Sequence, residues 1–364
     1  MFGFKCKIFE LKITKEMKKL NVTMTKTNKL ANNLGVNEIY LSEEQKEKLQ
    51  TLLPFHTTND ESYFLKVKNL LGFVLEQILF ADSTHKQKVE EFRNGENHIL
   101  VVRNFPIEKN LPPTPYTGYC RLDDLPLSTA LSFAMMGVLE VNPITYKGEN
   151  DGYIVRHVSP SVAAISDISS HGSKIEFGMH VDNPDLPLIT EPVNDLSGCP
   201  EYLSLHSLRS NVSVPTKVML LDDVIKYLSK SSLEELQKAQ FIIKRPDSFV
   251  GMDVKTDLLP ILSYSQELGF ISRYDKQNVE GHTELAQAAL KEFQSIIDSS
   301  DKINKFVLQP GDYVIFRNQK TLHSREGFTP NFNGIDRWMI RLFGIKDLNR
   351  GIPAQNEKPY VLKA

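Results

Sequence analysis

The chain has 364 residues, of which 41% are hydrophobic and 24% are charged, so it is long enough to bury the core of one large globular domain. Its formal net charge of −2 and pI near 6.5 provide no long-range field toward nucleic acid or an anionic membrane surface, and we expect neither as a partner. No run of 18 apolar residues exists, so we expect no transmembrane helix. Three cysteines without C-x-x-C spacing indicate a reducing compartment, and we expect a cytoplasmic protein.

A polar lead-in is predicted to precede the domain. Residues 1–40 are rich in Asn, Thr and Lys and lack a clear apolar period, which predicts a partly irregular segment. We expect residues 41–364 to form a single domain with a helical flank. Caps and apolar residues three and four apart predict helices from Ser42 to a point before Pro54, at Glu61–Phe80 and at Ser128–Leu139.

Two features in the middle of the chain bear on function. Residues 143–158 are predicted to form a hairpin around Asn150-Asp151-Gly152, which places Glu149 just before its tip. Residues 222–258 are rich in charge, and two interpretations stand side by side: a lid that excludes water from the site, or a surface helical insertion. Further predicted elements are strands at 100–106, 200–210, 216–221, 259–264 and 270–274 and helices at 231–240 and 283–298.

These elements predict a mainly β fold with flanking helices, in the α+β class. Many short strands with closely spaced turns are typical of a double-sheet jelly roll that carries helices on one side. In such a fold a late strand returns beside an early one, so residues far apart in sequence share one site.

The stretch Phe177–Pro184 contains a His-x-Asp pair. In a strand, residues i and i+2 share a face, so His180 and Asp182 reach one point while Val181 packs behind them. His323 follows 143 residues later (323 − 180 = 143) and completes two histidines and one carboxylate, the facial triad that is diagnostic of non-haem Fe(II) oxygenases. The alternatives are an ordinary polar pair and histidines that are structural or hold zinc.

A second stretch of the same form, His282-Thr283-Glu284, serves as a control. It directly precedes residues 285–293, whose alanines and apolar spacing predict a helix with Thr283 as its N-cap. Capping explains this stretch better than a metal does, so we exclude it from the site.

The stretch Phe306–Phe343 adds two arginines to the third candidate ligand. The turn Pro310-Gly311-Asp312 starts a strand, a second strand delivers His323, and a third strand places Arg337 and Arg341 on one face through its period of two. Guanidinium groups bind carboxylates bidentately and keep their charge, so this face suits a dicarboxylate beside a metal. The alternative is a satisfied histidine with two surface arginines on an edge strand.

The motifs His180-Val181-Asp182, Pro310-Gly311-Asp312, His323-Ser324-Arg325 and Asp336–Arg341 occur as a set. This set resembles the clavaminate synthase-like family of Fe(II)/2-oxoglutarate dioxygenases, and the similarity is strongest to members that hydroxylate free amino acids. The resemblance implies a double-stranded β-helix, Fe(II) held by the two histidines and the aspartate, and 2-oxoglutarate and O2 as cosubstrates. It also implies that Arg337 binds the far carboxylate of 2-oxoglutarate.

The resemblance further implies a set of substrate contacts. Arg341 and Ser170 match residues that bind the α-carboxylate of a free amino acid. Glu149 and Asp182 stand where the α-ammonium is held, although relatives carry glutamine and glutamate at these two positions. Asp275 matches a carboxylate that hydroxylases of basic amino acids place at the distal cation. The alternative for Glu149 and Asp275 is a pair of solvated surface carboxylates.

We therefore expect hydroxylation of a free basic L-amino acid, with succinate and CO2 as by-products. L-lysine is preferred, at C3 or C4, because the chain as a whole resembles the bacterial L-lysine hydroxylases. The alternatives are L-arginine, another free or carrier-bound amino acid, and a non-catalytic metal-binding jelly-roll protein. The sequence carries no signal for an oligomeric state.

Overall fold

The computed structural model describes residues 35–53, 57–162, 176–246, 249 and 257–364. The strands are, in chain order, β1 (Val36–Tyr40), β2 (Ile99–Arg103), β3 (Asn142–Tyr146), β4 (Arg156–Val158), β5 (Phe177–His180), β6 (Tyr202–Arg209), β7 (Thr216–Leu220), β8 (Phe241–Ile243), β9 (Leu262–Ser265), β10 (Gly269–Ser272), β11 (Val279–Gly281), β12 (Asn304–Phe306), β13 (Tyr313–Arg317), β14 (Thr321–Arg325), β15 (Trp338–Ile345) and β16 (Val361–Leu362). The helices are α1 (Glu43–Leu52), α2 (Glu61–Leu79), α3 (Ser83–Arg93), α4 (Pro126–Val138), α5 (Asp222–Ile225), α6 (Lys230–Leu236) and α7 (Glu284–Ser299).

Two sheets form the centre of the described part of the chain. The larger sheet has the order β1-β2-β13-β6-β15-β3-β16, with β4 also paired to β15, and the smaller sheet has the order β12-β7-β14-β5. Each sheet therefore places strands side by side that lie far apart in sequence. This arrangement, with helices added, confirms the predicted jelly roll.

Two apolar clusters cover the two faces of the larger sheet. The outer face packs against α1, α2, α3 and α4, and the inner face shares a cluster with the smaller sheet and α7. The alternation along β15 shows this division, because Trp338, Ile340 and Leu342 belong to the outer cluster and Met339 and Phe343 to the inner one. Odd-numbered residues of β15, Arg341 among them, are thus directed toward the space between the sheets.

The helices α2 and α4 pack closely through two glycines. A Cβ added to Gly72 would lie 2.7 Å from the carbonyl carbon of Gly137, and a Cβ added to Gly137 would lie 2.5 Å from the carbonyl oxygen of Lys68. Side chains larger than hydrogen would push the two helices apart. The helical layer therefore depends on this contact to lie flat against the sheet.

Several predicted elements are confirmed with small changes at their ends. The helix after Ser42 begins with a capping box, the long helix after Asp60 ends at Leu79, and α7 begins after Thr283. The described cysteines, Cys120 and Cys199, are both free. No helix in the described ranges is both long enough and apolar enough to cross a membrane.

Three local predictions are wrong. Residues 36–40 form β1 rather than part of an irregular lead-in, because Ile39 is buried and the strand pairs in parallel with β2. The helix α3 was missed, since its mean hydropathy is low and only its cap, Asp82, signals it. The helix predicted at 231–240 is the shorter α6, which Ser229 caps and which ends at Leu236.

The predicted hairpin at residues 143–158 does not form. Both β3 and β4 pair with β15, one after the other along the same edge, so the two strands do not pair with each other. The segment 147–155 between them leaves the edge of β15 and then rejoins it. Glu149, within this segment, is 1% exposed and does not lie at a solvent-facing tip.

Candidate active site

The three predicted ligands meet at the smaller sheet. His180 ends β5 and lies directly opposite His323 on β14, and the centres of the two rings are 4.1 Å apart. Asp182 follows two residues later, with its Oδ2 3.1 Å from Nε2 of His323. One ligand atom from each residue lies within 4.8 Å of the others, which is close enough to hold one ion.

The ring of His180 is oriented for metal binding. Its Nδ1 lies 2.7 Å from the carbonyl oxygen of Gly178, so Nδ1 carries the proton and donates to that oxygen. The lone pair of Nε2 is then free, and this buried nitrogen has no hydrogen-bond partner. Burial, together with the neighbouring His323, lowers the pKa of His180 to about 3, so the imidazole is neutral at physiological pH.

Asp182 is held as a carboxylate although it is buried. Burial favours the neutral acid, but His323, Arg341 and His180 more than offset this and lower the pKa of Asp182. Its Oδ2 has no hydrogen-bond partner, and Nε2 of His180 has none either. Buried polar atoms without partners are costly, and a cation bound between them would remove that cost. The residues present thus fit a divalent metal ion.

Arg337 lies immediately before β15 and is 5% exposed. Its Nη2 donates to Oγ1 of Thr216 over 3.2 Å, and its Nε has no partner. Burial and the nearby guanidinium of Arg325 lower its pKa to about 9, which still leaves it charged at neutral pH. No carboxylate pairs with Arg337 among the residues that the structure describes.

Arg341 has the opposite surroundings. Its Nη2 lies 2.7 Å from Oε1 of Glu149, its Nη1 lies 3.5 Å from Oδ1 of Asp182, and its guanidinium lies 3.9 Å from the ring centre of Phe343. Directly across the strand pair stands Arg156, whose Nη1 also approaches Oε1 of Glu149, at 3.3 Å. Glu149 therefore bridges two arginines that would otherwise repel each other across the ladder.

Asp275 lies beside the metal ligands. Its backbone pairs with that of His180, and residues directly opposite in an antiparallel pair direct their side chains to the same face. Its carboxylate accepts from the amide of Gln277 and from Nδ2 of Asn278, at 2.9 and 2.8 Å. Burial raises the pKa of Asp275, and within the described ranges no cation forms an ion pair with it. Asp275 and Glu149 are 2% and 1% exposed, so the surface interpretation of both is wrong.

Two predictions fall wholly or partly outside the described residues. Ser170 is one, and nothing in the structure tests it. Of the candidate lid at 222–258, residues 247, 248 and 250–256 are not described. The described part is packed, because Leu236 of α6 and Phe241 of β8 are fully buried in the inner cluster with α7. The control stretch behaves as expected, with Thr283 capping α7 and His282 exposed.

Sequence reasoning missed three residues near the site: Arg156, Thr216 and Asn318. Arg156 had a detectable signal, because a charged residue inside an apolar strand needs a buried partner. Thr216 and Asn318 had none, since a lone threonine at a strand start and a lone asparagine at a turn are both common.

Comparison with known proteins decides the chemistry. The profile of the taurine catabolism dioxygenase TauD/TfdA family matches residues 259–343, which include His323, Arg337 and Arg341. The L-asparagine oxygenase of Streptomyces coelicolor is 26% identical over 287 residues, which cover 78% of this chain and 82% of the relative. The L-lysine 3-hydroxylase of Catenulispora acidiphila is 24% identical over 293 residues, which cover 76% of each chain. The chain is a 2-oxoglutarate-dependent dioxygenase, and its residues 259–343 are similar to the TauD/TfdA family.

The fold of this dioxygenase is shared with a solved relative. The structure of asparagine oxygenase in complex with Fe(II), 2S,3S-3-hydroxyasparagine and succinate aligns with a TM-score of 0.76 at 24% identity, and the alignment covers 90% of this chain and 99% of that one. The enzyme is 2-oxoglutarate-dependent and uses iron, and its buried His180, Asp182 and His323 fit that ion.

Proposed function

We propose that this dioxygenase hydroxylates a free basic L-amino acid, with L-lysine as the first substrate to test. The observation that carries the choice of a basic substrate is Asp275, a buried carboxylate beside the metal ligands without a cationic partner in the described residues. A buried charge needs a counter-charge, and a substrate ammonium would provide it. The L-asparagine oxygenase and the L-lysine 3-hydroxylase similar to this chain both take amino acids, and one of them takes lysine.

The metal and the cosubstrate define one end of the proposed site. His180, Asp182 and His323 would hold Fe(II) through three protein ligands and leave positions for small molecules. Iron bound with 2-oxoglutarate and O2 supplies the oxidation that replaces a C–H hydrogen by hydroxyl and releases succinate and CO2. Arg337 would bind the far carboxylate of 2-oxoglutarate, because it is a buried cation without a carboxylate partner among the described residues.

The backbone end of the amino acid would be held on the larger sheet. Arg341 would bind the α-carboxylate, together with Ser170, and the α-ammonium would be accepted by Glu149 and Asp182. Arg341 and Glu149 are already paired at 2.7 Å, so a zwitterion that arrives between them exchanges one ion pair for two. This exchange keeps every buried charge paired, which lowers the cost of opening the existing contact.

The distal ammonium would then reach Asp275. The two hydrogen bonds from Gln277 and Asn278 fix the carboxylate in place and leave lone pairs for a further donor. The charge of Asp275 is favourable only with a cation nearby, since burial raises its pKa. Such a carboxylate selects for a cationic side chain over a neutral one of similar length.

The experiment is an anaerobic reconstitution with Fe(II), followed by exposure to O2 with 2-oxoglutarate and each proteinogenic L-amino acid. L-lysine is expected to give succinate in step with an amino acid that has gained one oxygen atom, and NMR of the product assigns C3 or C4. Coupled turnover with L-arginine alone would replace lysine as the substrate. An absence of coupled turnover with every amino acid would contradict the proposal.

Asp275→Asn tests the assignment of the distal end. It should raise the KM for lysine on the order of tenfold or more, because a hydrogen bond to a charged group contributes roughly 1.5–3 kcal/mol. The KM for 2-oxoglutarate should not change. Glu280→Gln is the matched control, since Glu280 is an exposed acid on the neighbouring strand β11 and should leave both values as they are.

A further inference from the structure

Asp182 is poorly held by the sheet that carries the other two ligands. The strand β5 ends at His180, and Asp182 follows it in a loop. Its neighbour Val181 is bonded to the carbonyl of Tyr274, but no strand pairing reaches Asp182 itself. An aspartate also has a short side chain, so the position of its carboxylate follows the position of its backbone. Something other than the ladder must fix that backbone.

The side chain of Asn318 provides this support. Its Oδ1 accepts from the amide of Asp182 at 3.0 Å, and its Nδ2 donates to the carbonyl of Asp182 at 3.1 Å. The second hydrogen of Nδ2 is used by the carbonyl of Pro200, at 2.9 Å. The amide nitrogen of Asn318 donates to the carbonyl of Glu201 at 2.8 Å. The oxygen faces an N–H and the nitrogen faces two carbonyls, so only this orientation of the amide satisfies its neighbours.

Asn318 also links two of the ligands along the chain. It opens the single 3-10 turn between β13 and β14, five residues before His323. The same residue thus sets where β14 begins and where the backbone of Asp182 lies. Asn318 is 0% exposed, so water has no access to replace these bonds when the side chain is removed.

The support matters because Asp182 has a competing partner. Arg341 lies 3.5 Å from its Oδ1, on the opposite side from His323. A backbone released from Asn318 would let the carboxylate turn toward that guanidinium and away from the two histidines. We infer that Asn318 is a positioning residue for the metal site, and that it sets metal affinity through the backbone of Asp182. This inference rests on the proposed binding of iron by the triad.

A neighbouring residue serves as a control for burial and bond count. Gln319 is 3% exposed, and its side chain donates to the carbonyl of Cys199 at 3.1 Å and accepts from the amide of Ile189 at 2.9 Å. Its hydrogen bonds connect neighbouring loops, but none of them goes to Asp182. A purely structural role for Asn318 predicts that alanine at 318 and alanine at 319 behave alike.

The test measures Fe(II) affinity without oxygen or substrate, by competition with a chelating dye, together with denaturant unfolding of each metal-free protein. Asn318→Ala should weaken Fe(II) binding on the order of 10- to 100-fold, the cost of losing an outer partner of a metal ligand. Asn318→Asp keeps the shape and the acceptor for the Asp182 amide but loses both donors, and it should also weaken Fe(II) binding. Gln319→Ala should lose stability and keep the wild-type affinity.

Each result decides between the alternatives. Wild-type affinity in Asn318→Asp, or an equal loss of affinity in Gln319→Ala, would overturn the inference. If Asn318→Ala does not fold, Asn318→Asp decides alone. A wild-type protein that binds no Fe(II) would overturn the proposed function and this inference with it, whereas a binding wild type with unaffected Asn318 variants would overturn only the inference.

Discussion

Two arginines, one immediately before β15 and one within it, have the same chemistry but different neighbours. Arg337 is buried beside a second guanidinium, that of Arg325, and it donates a hydrogen bond to Thr216. Arg341 is equally buried, yet it contacts two carboxylates and an aromatic ring. Both side chains point to the space between the sheets, because Arg337 reaches Thr216 of β7 and the alternation along β15 directs Arg341 inward.

This difference fits the two unlike ligands that we propose for the site. A cation without an acidic neighbour is costly when buried, and an incoming dicarboxylate relieves that cost directly. A cation already paired with Glu149 is satisfied before substrate arrives, so an amino acid must bring both charges to displace the pair. The Arg337 end is therefore suited to an anion and the Arg341 end to a zwitterion.

The largest expected effect comes from removing Asp182, the candidate metal ligand that also contacts Arg341. Asp182→Ala should abolish succinate formation with any amino acid, because the triad loses its only carboxylate and Arg341 loses one of its two acids. The measurement is succinate release under saturating Fe(II). His282→Ala belongs to the exposed His-x-Glu stretch and should turn over like the wild type. Wild-type turnover in Asp182→Ala would mean that the triad does not hold the metal.

Arg337→Ala tests whether Arg337 binds 2-oxoglutarate. It should raise the KM for 2-oxoglutarate roughly 10- to 100-fold, since charge-assisted hydrogen bonds contribute roughly 1.5–3 kcal/mol. The KM for the amino acid should stay as it is. Arg337→Lys keeps the charge without the bidentate geometry, so its KM for 2-oxoglutarate should lie between those of the wild type and Arg337→Ala. Equal increases for both ligands would show that the ends are not separate.

A double-mutant cycle tests the pairing at the substrate end. Arg341→Met and Glu149→Gln should each destabilise the metal-free protein, because each leaves a buried charge with fewer partners. The double variant should recover a coupling energy on the order of 1–2 kcal/mol, as expected for groups in direct contact. Denaturant unfolding provides the free energies. Additive costs would mean that Glu149 is neutralised mainly by Arg156.

The free energy of unfolding should also depend on pH, because several buried histidines have lowered pKa values. Burial lowers the pKa of His98, His157 and His206 to about 4 each. Between that value and the ordinary one near 6.5 the unfolded chain binds more protons than the folded one, so the free energy of unfolding is constant above about pH 6.5 and falls as the pH drops. Each histidine should contribute on the order of 1 kcal/mol per pH unit.

His206→Gln checks this assignment. His206, on β6, contacts Ser128 and Ser132 of α4 on the outer side of the larger sheet. The variant should be less stable than the wild type at pH 7, because a buried hydrogen bond changes, but should lose less stability between pH 7 and pH 5. An unchanged slope would mean that His206 is already protonated in the folded protein at pH 5.

Local sequence patterns predicted the structure correctly where the residues concerned lie within or next to a single strand or helix. The i, i+2 rule predicted that His180 and Asp182 would reach one point, and they do so although Asp182 lies just past the end of β5. Thr283 was recognised as a cap because capping is a local bond. The sequence also indicated that β14 returns beside β5, although only the ladder shows that His323 faces His180 directly. Family resemblance supplied the chemistry that these positions serve.

Sequence predictions were wrong where contacts with distant parts of the chain determined the local structure. An Asn-Asp-Gly turn predicts a hairpin from local conformation alone, but two strands that share the edge of β15 left no pairing between them. In this arrangement Glu149 is buried and Arg156 lies opposite Arg341. The role inferred for Asn318 follows from one loop that meets another across the sandwich, which no local pattern encodes.

The sequence by itself determined which side chains share a strand face, since backbone geometry makes that face repeat every two residues. It therefore predicted the candidate metal ligands and the arginine pair, and it determined the class of fold. Only the tertiary structure decided which charges meet. Pairing between Arg341 and Glu149, the absence of an acid near Arg337 in the described residues, and the unpaired burial of Asp275 all depend on low-dielectric contacts between segments far apart in sequence.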